Sequence, residues 1–197
     1  MTREDAPLGI FGREASGQVA EQLERAGVAL RTGVSATAFA DATVSLEPGG
    51  GVDADLVIAL PELRGRALPG LPSDAHGFTR VDAYGRVRDV DRVWAVGDMT
   101  TRPLKQGGLA AQQADVAAAD IAACAGAAVT VRPYEPVLRG LLLTGDAPLF
   151  LERLPHAPPA SYAATEFLWS PAHKVVGRHA ARYLEQRSAE PGLSRRR

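Results

Sequence analysis

Two short stretches combine residue types and spacing suited to chemistry. Val93-Trp94-Ala95-Val96-Gly97-Asp98 is an apolar run ending in Gly-Asp, and Lys105-Gln106-Gly107-Gly108-Leu109-Ala110 opens a long helical pattern. The first predicts a short buried strand with a carboxylate at its carboxyl end, where open α/β sheets bind ligands. Gly97 has no side chain, so ligand and backbone can approach closely there. Asp98 offers two acceptor oxygens for ligand hydroxyls. The second stretch predicts a helix start whose orphan N–H groups and partial positive charge favour an electron-rich partner.

Together these features suit a flavin. The carboxylate matches the hydroxyls of a ribityl chain. A helix start aimed at the pyrimidine end of the ring would stabilise the reduced, anionic form and raise its reduction potential. Lys105 either adds a positive charge or hydrogen bond to this arrangement or is a solvated loop lysine. Gln112 and Gln113 lie one turn into the helix, one expected to face inward and the other solvent. The alternative for Asp98 is a carboxylate that only caps a loop. No G-x-G-x-x-G occurs in the chain, so the usual phosphate-gripping partner of such a motif is absent from it.

The elements that must position these residues can be read from periodicity. Arg13 to Ala26 predicts a helix with Ala15, Val19, Leu23 and Ala26 on one face, stopped by Gly27. Ala29 to Thr32, Ala36 to Ala40 and Thr43 to Leu46 read as short strands, with a turn at Gly49-Gly50-Gly51. Asp55 to Leu60 is a continuous apolar run, as expected of a strand buried on both faces. Pro61 to Pro72 is a Pro/Gly-rich connection and the best domain boundary. Phe78 to Val81, Val87 to Val90 and Val93 to Val96 read as strands, and the helix from Gly108 runs to about Ala125. Val137 to Leu143 and Leu149 to Leu151 form a β pair around Thr144-Gly145-Asp146. A last helix starts at Ser170 (N-cap) and Pro171 (N1), with Val175, Val176, Ala180, Tyr183 and Leu184 on its apolar face.

Composition bounds the function. The chain has 197 residues, 46% apolar and 23% charged, with a net charge of -1. That is a globular composition, and nothing in it suggests a nucleic-acid partner. Arg195-Arg196-Arg197 follows Pro191-Gly192 and reads as a solvated, disordered tail. The single cysteine, Cys124, excludes an internal disulfide or a C-x-x-C pair and is expected to be a small buried apolar side chain. His76, His156, His173 and His179 show no ligand spacing, so no metal site is expected. The start is charged with no apolar stretch after it, and no run approaches the ~18 residues that would span a membrane. A cytoplasmic location is therefore expected, with peripheral membrane contact compatible.

Val93 to Asp98, with Pro103 to Ala114, resembles the second FAD motif of the pyridine nucleotide–disulfide oxidoreductase superfamily. The nearest branch is that of type II NADH dehydrogenases and sulfide:quinone oxidoreductases. Pro69 to Pro72, Gly77-Phe78, Val81-Asp82 and Gly85 to Val87 are similar to the approach to the flavin strand in that branch. Pro136 to Leu142 resembles the strand after the flavin helix, and Trp169 to Pro171 with Lys174 and Gly177-Arg178 resembles the closing helix. The similarity runs from about Pro7 to Leu184.

The resemblance implies an α/β chain with a partial FAD/NAD(P)-binding, Rossmann-like fold of the two-dinucleotide-binding-domain type, with a C-terminal β-hairpin and helix. Residues 1–62 map to part of an NAD(P)-binding-like domain and 63–128 to the C-terminal part of the FAD domain. Residues 129–190 map to a C-terminal strand and helix region, and 191–197 to the tail. The implied cofactor contacts are Gly97, Asp98, Lys105, Gln106, Gly107, Gly108, Leu109, Ala110, Gln113 and Lys174. The resemblance also implies that Trp169, Pro171 and Lys174 border the flavin or an acceptor pocket; the alternative is helix packing for the first two and a surface lysine for Lys174. The implied activity carries electrons from NAD(P)H or a similar donor through FAD to an acceptor such as a quinone. The absence of a cysteine pair argues against disulfide reduction and, more weakly, against sulfide chemistry.

Mapped this way, the chain corresponds to the C-terminal half of such an enzyme. The first strands of both sheets are then missing, which predicts exposed edges and unburied apolar faces. By itself the chain is expected to hold FAD weakly or not at all, for want of a pyrophosphate-binding helix. Its partner would be the N-terminal half or a second copy of itself. The competing reading is a truncated, non-catalytic remnant that serves as a binding or dimerisation module.

Overall fold

The computed structural model describes residues 1–145, 147–155, 160–169 and 174–189. The chain divides into two compact units, Met1–Glu62 with Gly140–Leu168, and Leu63–Arg139 with Trp169–Arg197. Their elements are α-helices and antiparallel three-stranded sheets.

In the first unit, α1 spans Arg13–Arg25, with Glu14 in its first turn and Arg25 in its last, both favourable to the helix dipole. Ala15 and Val19 are buried as the periodicity requires, whereas Ala26 is exposed and lies just past the end. The stop is a glycine cap. Gly27 takes φ +70°, and the N–H groups of Gly27 and Val28 return to the carbonyls of Glu24 and Leu23.

Strands β1 (Ser35–Ala40), β2 (Thr43–Glu47) and β3 (Gly51–Asp53) form an antiparallel meander in that order. Asp41 and Ala42 both have positive φ between β1 and β2, as a two-residue hairpin turn of the primed type demands. Val44 and Leu46 are the buried face of β2, alternating with exposed residues.

Strands β4 (Leu138–Leu142), β5 (Leu149–Arg153) and β6 (Ser161–Ala164) form the second sheet, with β5 central. The sheet thus adds a third strand to the expected β pair. Helix α1 packs on β6, and Gln18 donates to the Ala163 carbonyl at 3.3 Å. Gly12, at φ +94°, enters α1 where a Cβ would come within 2.8 Å of the Ser161 hydroxyl oxygen, so a larger residue would collide there.

Two expected strands do not form. Ala29 to Thr32 is irregular. Asp55 to Leu60 is also irregular, with Leu56 77%, Ile58 82% and Leu60 95% exposed. A continuous apolar run becomes a strand only when neighbours on both sides supply its hydrogen bonds, and no described strand pairs with this one.

In the second unit, the segments expected as strands around Phe78, Val87 and Val93 make isolated bridges only. Ser73–Thr79, Val81–Val87 and Arg86–Trp94 pair antiparallel, and Thr79–Thr100 pairs parallel. The reason is local: turns interrupt the runs before a ladder can extend. The Asp82 carboxylate accepts the N–H groups of Tyr84 and Arg86, closing one turn, and Asp89 and Arg92 take positive φ in the next. Val81, Val87 and Ala95 still form a small core, flanked by Leu71, Val90, Val93 and Met99.

Helix α2 spans Gly107–Cys124 and gives way at Ala125 and Gly126, the latter at φ +90°. Helix α3 spans Ala180–Ala189. It begins later than expected. Val175 and Val176 are not helical, and Tyr183 and Leu184 are exposed rather than on a buried face. Ser170, Pro171, His173, Asp146, His156 and the 191–197 tail, each the subject of an expectation above, lie outside the described residues. Among the described residues no helix is long and apolar enough to cross a membrane.

Candidate functional site

The two stretches that opened the sequence reading meet in the second unit. Gly97–Met99 is a single 3-10 turn, not a strand end, and Gly97 takes φ +76°. A Cβ on Gly97 would lie 3.3 Å from the Cβ of Ala110 on α2. The Gly97 N–H donates to Gln113 Oε1 at 2.8 Å. Gln113 is 6% exposed, so this amide is a buried peg between α2 and the turn. Tyr134 hydrogen-bonds to the Gln113 side chain, and burial raises the Tyr134 phenol above its ordinary pKa.

The loop after the turn is also fixed. The Thr100 hydroxyl and N–H both reach the Gly97 carbonyl, at 2.9 and 3.1 Å. Thr79 and Thr100 are fully buried, and their backbones are joined by the parallel bridge. Asp98 projects from this rigid turn, is exposed, and has no hydrogen-bond partner among the described residues. No described loop N–H is capped by its carboxylate.

Lys105 donates to the Thr100 carbonyl and lies over the Phe78 ring, 4.0 Å from its centroid. Burial lowers its pKa from the ordinary lysine range, and the nearby carboxylates of Asp98 and Asp74 oppose that shift. The ammonium is therefore held by the protein beside the Asp98 turn, not free in solvent. Asp74 accepts the N–H groups of Phe78 and His76, each at 2.9 Å, and the Phe78 bond is the largest cause holding its carboxyl below the usual range.

Helix α2 begins at Gly107 with no side-chain cap and no acidic residue in its first turn. Its first N–H groups therefore have no intrahelical acceptor and no neutralising carboxylate. Gly107 is exposed, with open space where a Cβ would stand. Gln106 turns its amide away and donates to the Arg139 carbonyl at 2.9 Å. Gly108 is buried against the main chain at Lys174 and Val175, 3.6 and 3.8 Å from a Cβ built on it. Lys174 thus enters through its backbone, and its side chain is exposed. Leu109 is 1% exposed, and Ala110 faces Gly97, so these two support the site from beneath.

Gln112 departs from expectation. Instead of facing solvent, it donates to the Val137 carbonyl and accepts the Val137 N–H, both at 2.9 Å, as a neighbouring strand would. Trp169 is 7% exposed and lies beneath the Arg139 guanidinium, 4.8 Å from ring centroid to carbon. Cys124 is exposed, not buried, because it ends α2 on the solvent side. Among the described residues no three His, Cys, Asp or Glu side chains cluster as metal ligands would.

Sequence reading missed Asp120. Its carboxylate is 2% exposed and accepts Arg86 Nε at 2.7 Å, Arg86 Nη2 at 2.6 Å and Trp94 Nε1 at 2.8 Å. The bidentate Arg86 guanidinium is the main cause holding this carboxyl below the usual range. The clasp ties the segment three residues before Gly97 to α2. No sequence signal singles out Asp120, because Asp115 lies in the same helix among similar apolar neighbours.

Among curated proteins no relative is detected. Solved structures do match. The sulfide:quinone oxidoreductase from Aquifex aeolicus superposes with a TM-score of 0.63 at 17% identity, over 84% of this chain and 46% of that one. LpdA from Mycobacterium tuberculosis gives 0.59 at 17% identity, over 80% and 36%. A ferredoxin reductase from Rhodopseudomonas palustris gives 0.57 at 22% identity, over 78% and 40%. The chain spans less than half the length of each, and at these identities the likeness establishes the fold: a partial FAD/NAD(P)-binding, Rossmann-like α/β architecture. The family described as pyridine nucleotide-disulphide oxidoreductase matches residues 1–120, more than half of the chain, and the protein belongs to it.

Proposed function

We propose that this chain supplies the ribityl and ring side of the flavin site in an FAD-dependent oxidoreductase. The observation that carries the reading is the rigid pairing of an exposed Asp98 carboxylate with the uncapped, acid-free start of α2, pegged together by Gln113. FAD, when bound, supplies the two-electron carrier, and the donor set present fits it. Asp98 accepts from the ribityl hydroxyls, and Gly97, having no side chain, leaves room for the chain. The N–H groups at Gly107 and Gly108 hold negative charge at the ring, which favours the reduced form. Lys105 adds a fixed positive charge to the same field.

In this reading the donor is NAD(P)H or a similar hydride source, and the acceptor is a small molecule such as a quinone. The motif resemblance supports the type II NADH dehydrogenase and sulfide:quinone oxidoreductase branch. Residues 1–62 would belong to an NAD(P)-binding-like domain, 63–128 to the FAD domain and 129–190 to a C-terminal region. The remaining grip on FAD, at its adenosine and pyrophosphate, comes from a dinucleotide-binding segment with G-x-G-x-x-G or from a partner chain.

The test is a titration of the purified chain with riboflavin and with FAD, followed by flavin fluorescence. The residues assigned here reach only the ribityl chain and ring. Riboflavin and FAD should therefore bind weakly and with affinities within a few-fold of each other, and Asp98→Ala should weaken both by roughly tenfold, as loss of a charged acceptor does. Stoichiometric FAD retained through purification, or binding indifferent to Asp98→Ala, overturns the assignment.

A further inference from the structure

A cavity of about 700 Å³ in the same unit lies between α2, the loop after it and the residues leading into α3. Its lining includes the apolar Val116, Ala119 and Ala122 of α2 with Val129. It also includes Thr130, Arg132, Arg178 and His179. The Asp115 carboxylate also faces the cavity, where it accepts the main-chain N–H of Arg178. The Arg132, Arg178 and His179 side chains make no hydrogen bond or ion pair among the described residues. Two guanidinium charges therefore face one carboxylate, a net positive lining with a hydroxyl beside it.

The volume is that of a site for a small organic molecule, and its lining has the same character, apolar with a few convergent polar groups. Guanidinium forks bind tetrahedral and planar oxyanions bidentately. Two forks and a hydroxyl match three terminal oxygens better than the two of a carboxylate. We propose that this cavity binds a phosphate ester, the phosphate on Arg132, Arg178 and Thr130 and an apolar body against the valine and alanine side chains. The cavity shares no residue with the Asp98 turn or the first turn of α2, so the proposal stands apart from the flavin reading.

Isothermal titration of the full chain with phenyl phosphate tests it, with inorganic phosphate alongside. Phenyl phosphate should bind saturably and roughly tenfold more tightly than inorganic phosphate, because its ring buries apolar surface. Arg132→Ala and Arg178→Ala should each weaken it roughly tenfold or more. Arg178→Ala keeps the main-chain N–H that holds Asp115, and circular dichroism confirms that both variants remain folded. Lysine at either position keeps the charge without the fork and should fall between. Asp98→Ala should leave phenyl phosphate binding unchanged. Co-sedimentation with phosphatidic acid vesicles, whose headgroup is a phosphomonoester, lost in the arginine variants, would place the phosphate on a lipid; phenyl phosphate binding without sedimentation would place it on a soluble ester. The proposal is overturned if neither probe binds, or if binding survives both alanine substitutions.

Discussion

Gly97→Ala puts the geometry of the candidate site to a quantitative test. Two separable costs follow from the structure. An L-residue at φ +76° pays about 1–2 kcal/mol for the left-handed conformation. The new methyl would also stand 3.3 Å from the Ala110 Cβ, a few tenths of an ångström inside ordinary carbon contact. Overpacking by one such methyl adds about 1 kcal/mol. The sum is roughly 2–3 kcal/mol, with a urea slope of about 1–3 kcal/mol per molar setting the midpoint shift. Trp94, three residues upstream, reports the transition by fluorescence once Trp169 is replaced by Phe. The two costs separate in a double-mutant cycle. Ala110→Gly removes the contact but not the strained φ, so Gly97→Ala should cost about 1 kcal/mol less in that background. A cost below about 0.5 kcal/mol, or one that Ala110→Gly does not reduce, would refute the argument that Gly97 is fixed by both its backbone and its neighbour.

Three further outcomes are expected. Asp120 has a folded pKa held below its ordinary 3.8, so its contribution to stability is present above that value and lost as pH falls through the depressed one; Asp120→Asn should flatten this acid limb of urea stability below about pH 4. Lys105 has a folded pKa below its ordinary 10.5, so the unfolded chain binds more protons in that window and stability rises with pH toward 10.5; Lys105→Met should remove that slope in alkaline urea titrations. Ile58→Ser should change stability by less than about 0.5 kcal/mol, since the side chain is 82% exposed, and a loss of several kcal/mol in chemical denaturation would mean that the segment is buried as a strand in solution.

What was legible in the sequence was local. Helix α1 follows from apolar spacing and a terminal glycine, and α2 from a glycine start and an alanine-rich run that ends at Gly126, signals that need no knowledge of the rest of the chain. Strands β1 and β2 were equally readable, whereas the Asp41-Ala42 turn between them carries no glycine or proline to announce it. Pairing was not. Asp55 to Leu60 and Val93 to Val96 have strand composition, but a strand exists only through its neighbours, and the turns at Asp82 and Asp89–Arg92 leave the second run a single bridge.

The candidate site divides the same way. The residue types at Gly97, Asp98 and Gly107 to Ala110 pointed from the sequence alone to an acceptor beside a helix start, because hydrogen-bonding capacity is a property of the residue. Which groups are held and which are open was decided by tertiary structure. Gln113 pegs Gly97, Gln112 substitutes for a strand at Val137, and Lys105 is turned onto Thr100 and Phe78. Asp120 reads in the sequence as one more helical aspartate. Folding brings Arg86 and Trp94, 34 and 26 residues away, onto its carboxylate. A charge can be buried only where such partners converge, and convergence over that distance is set by the fold rather than by local sequence.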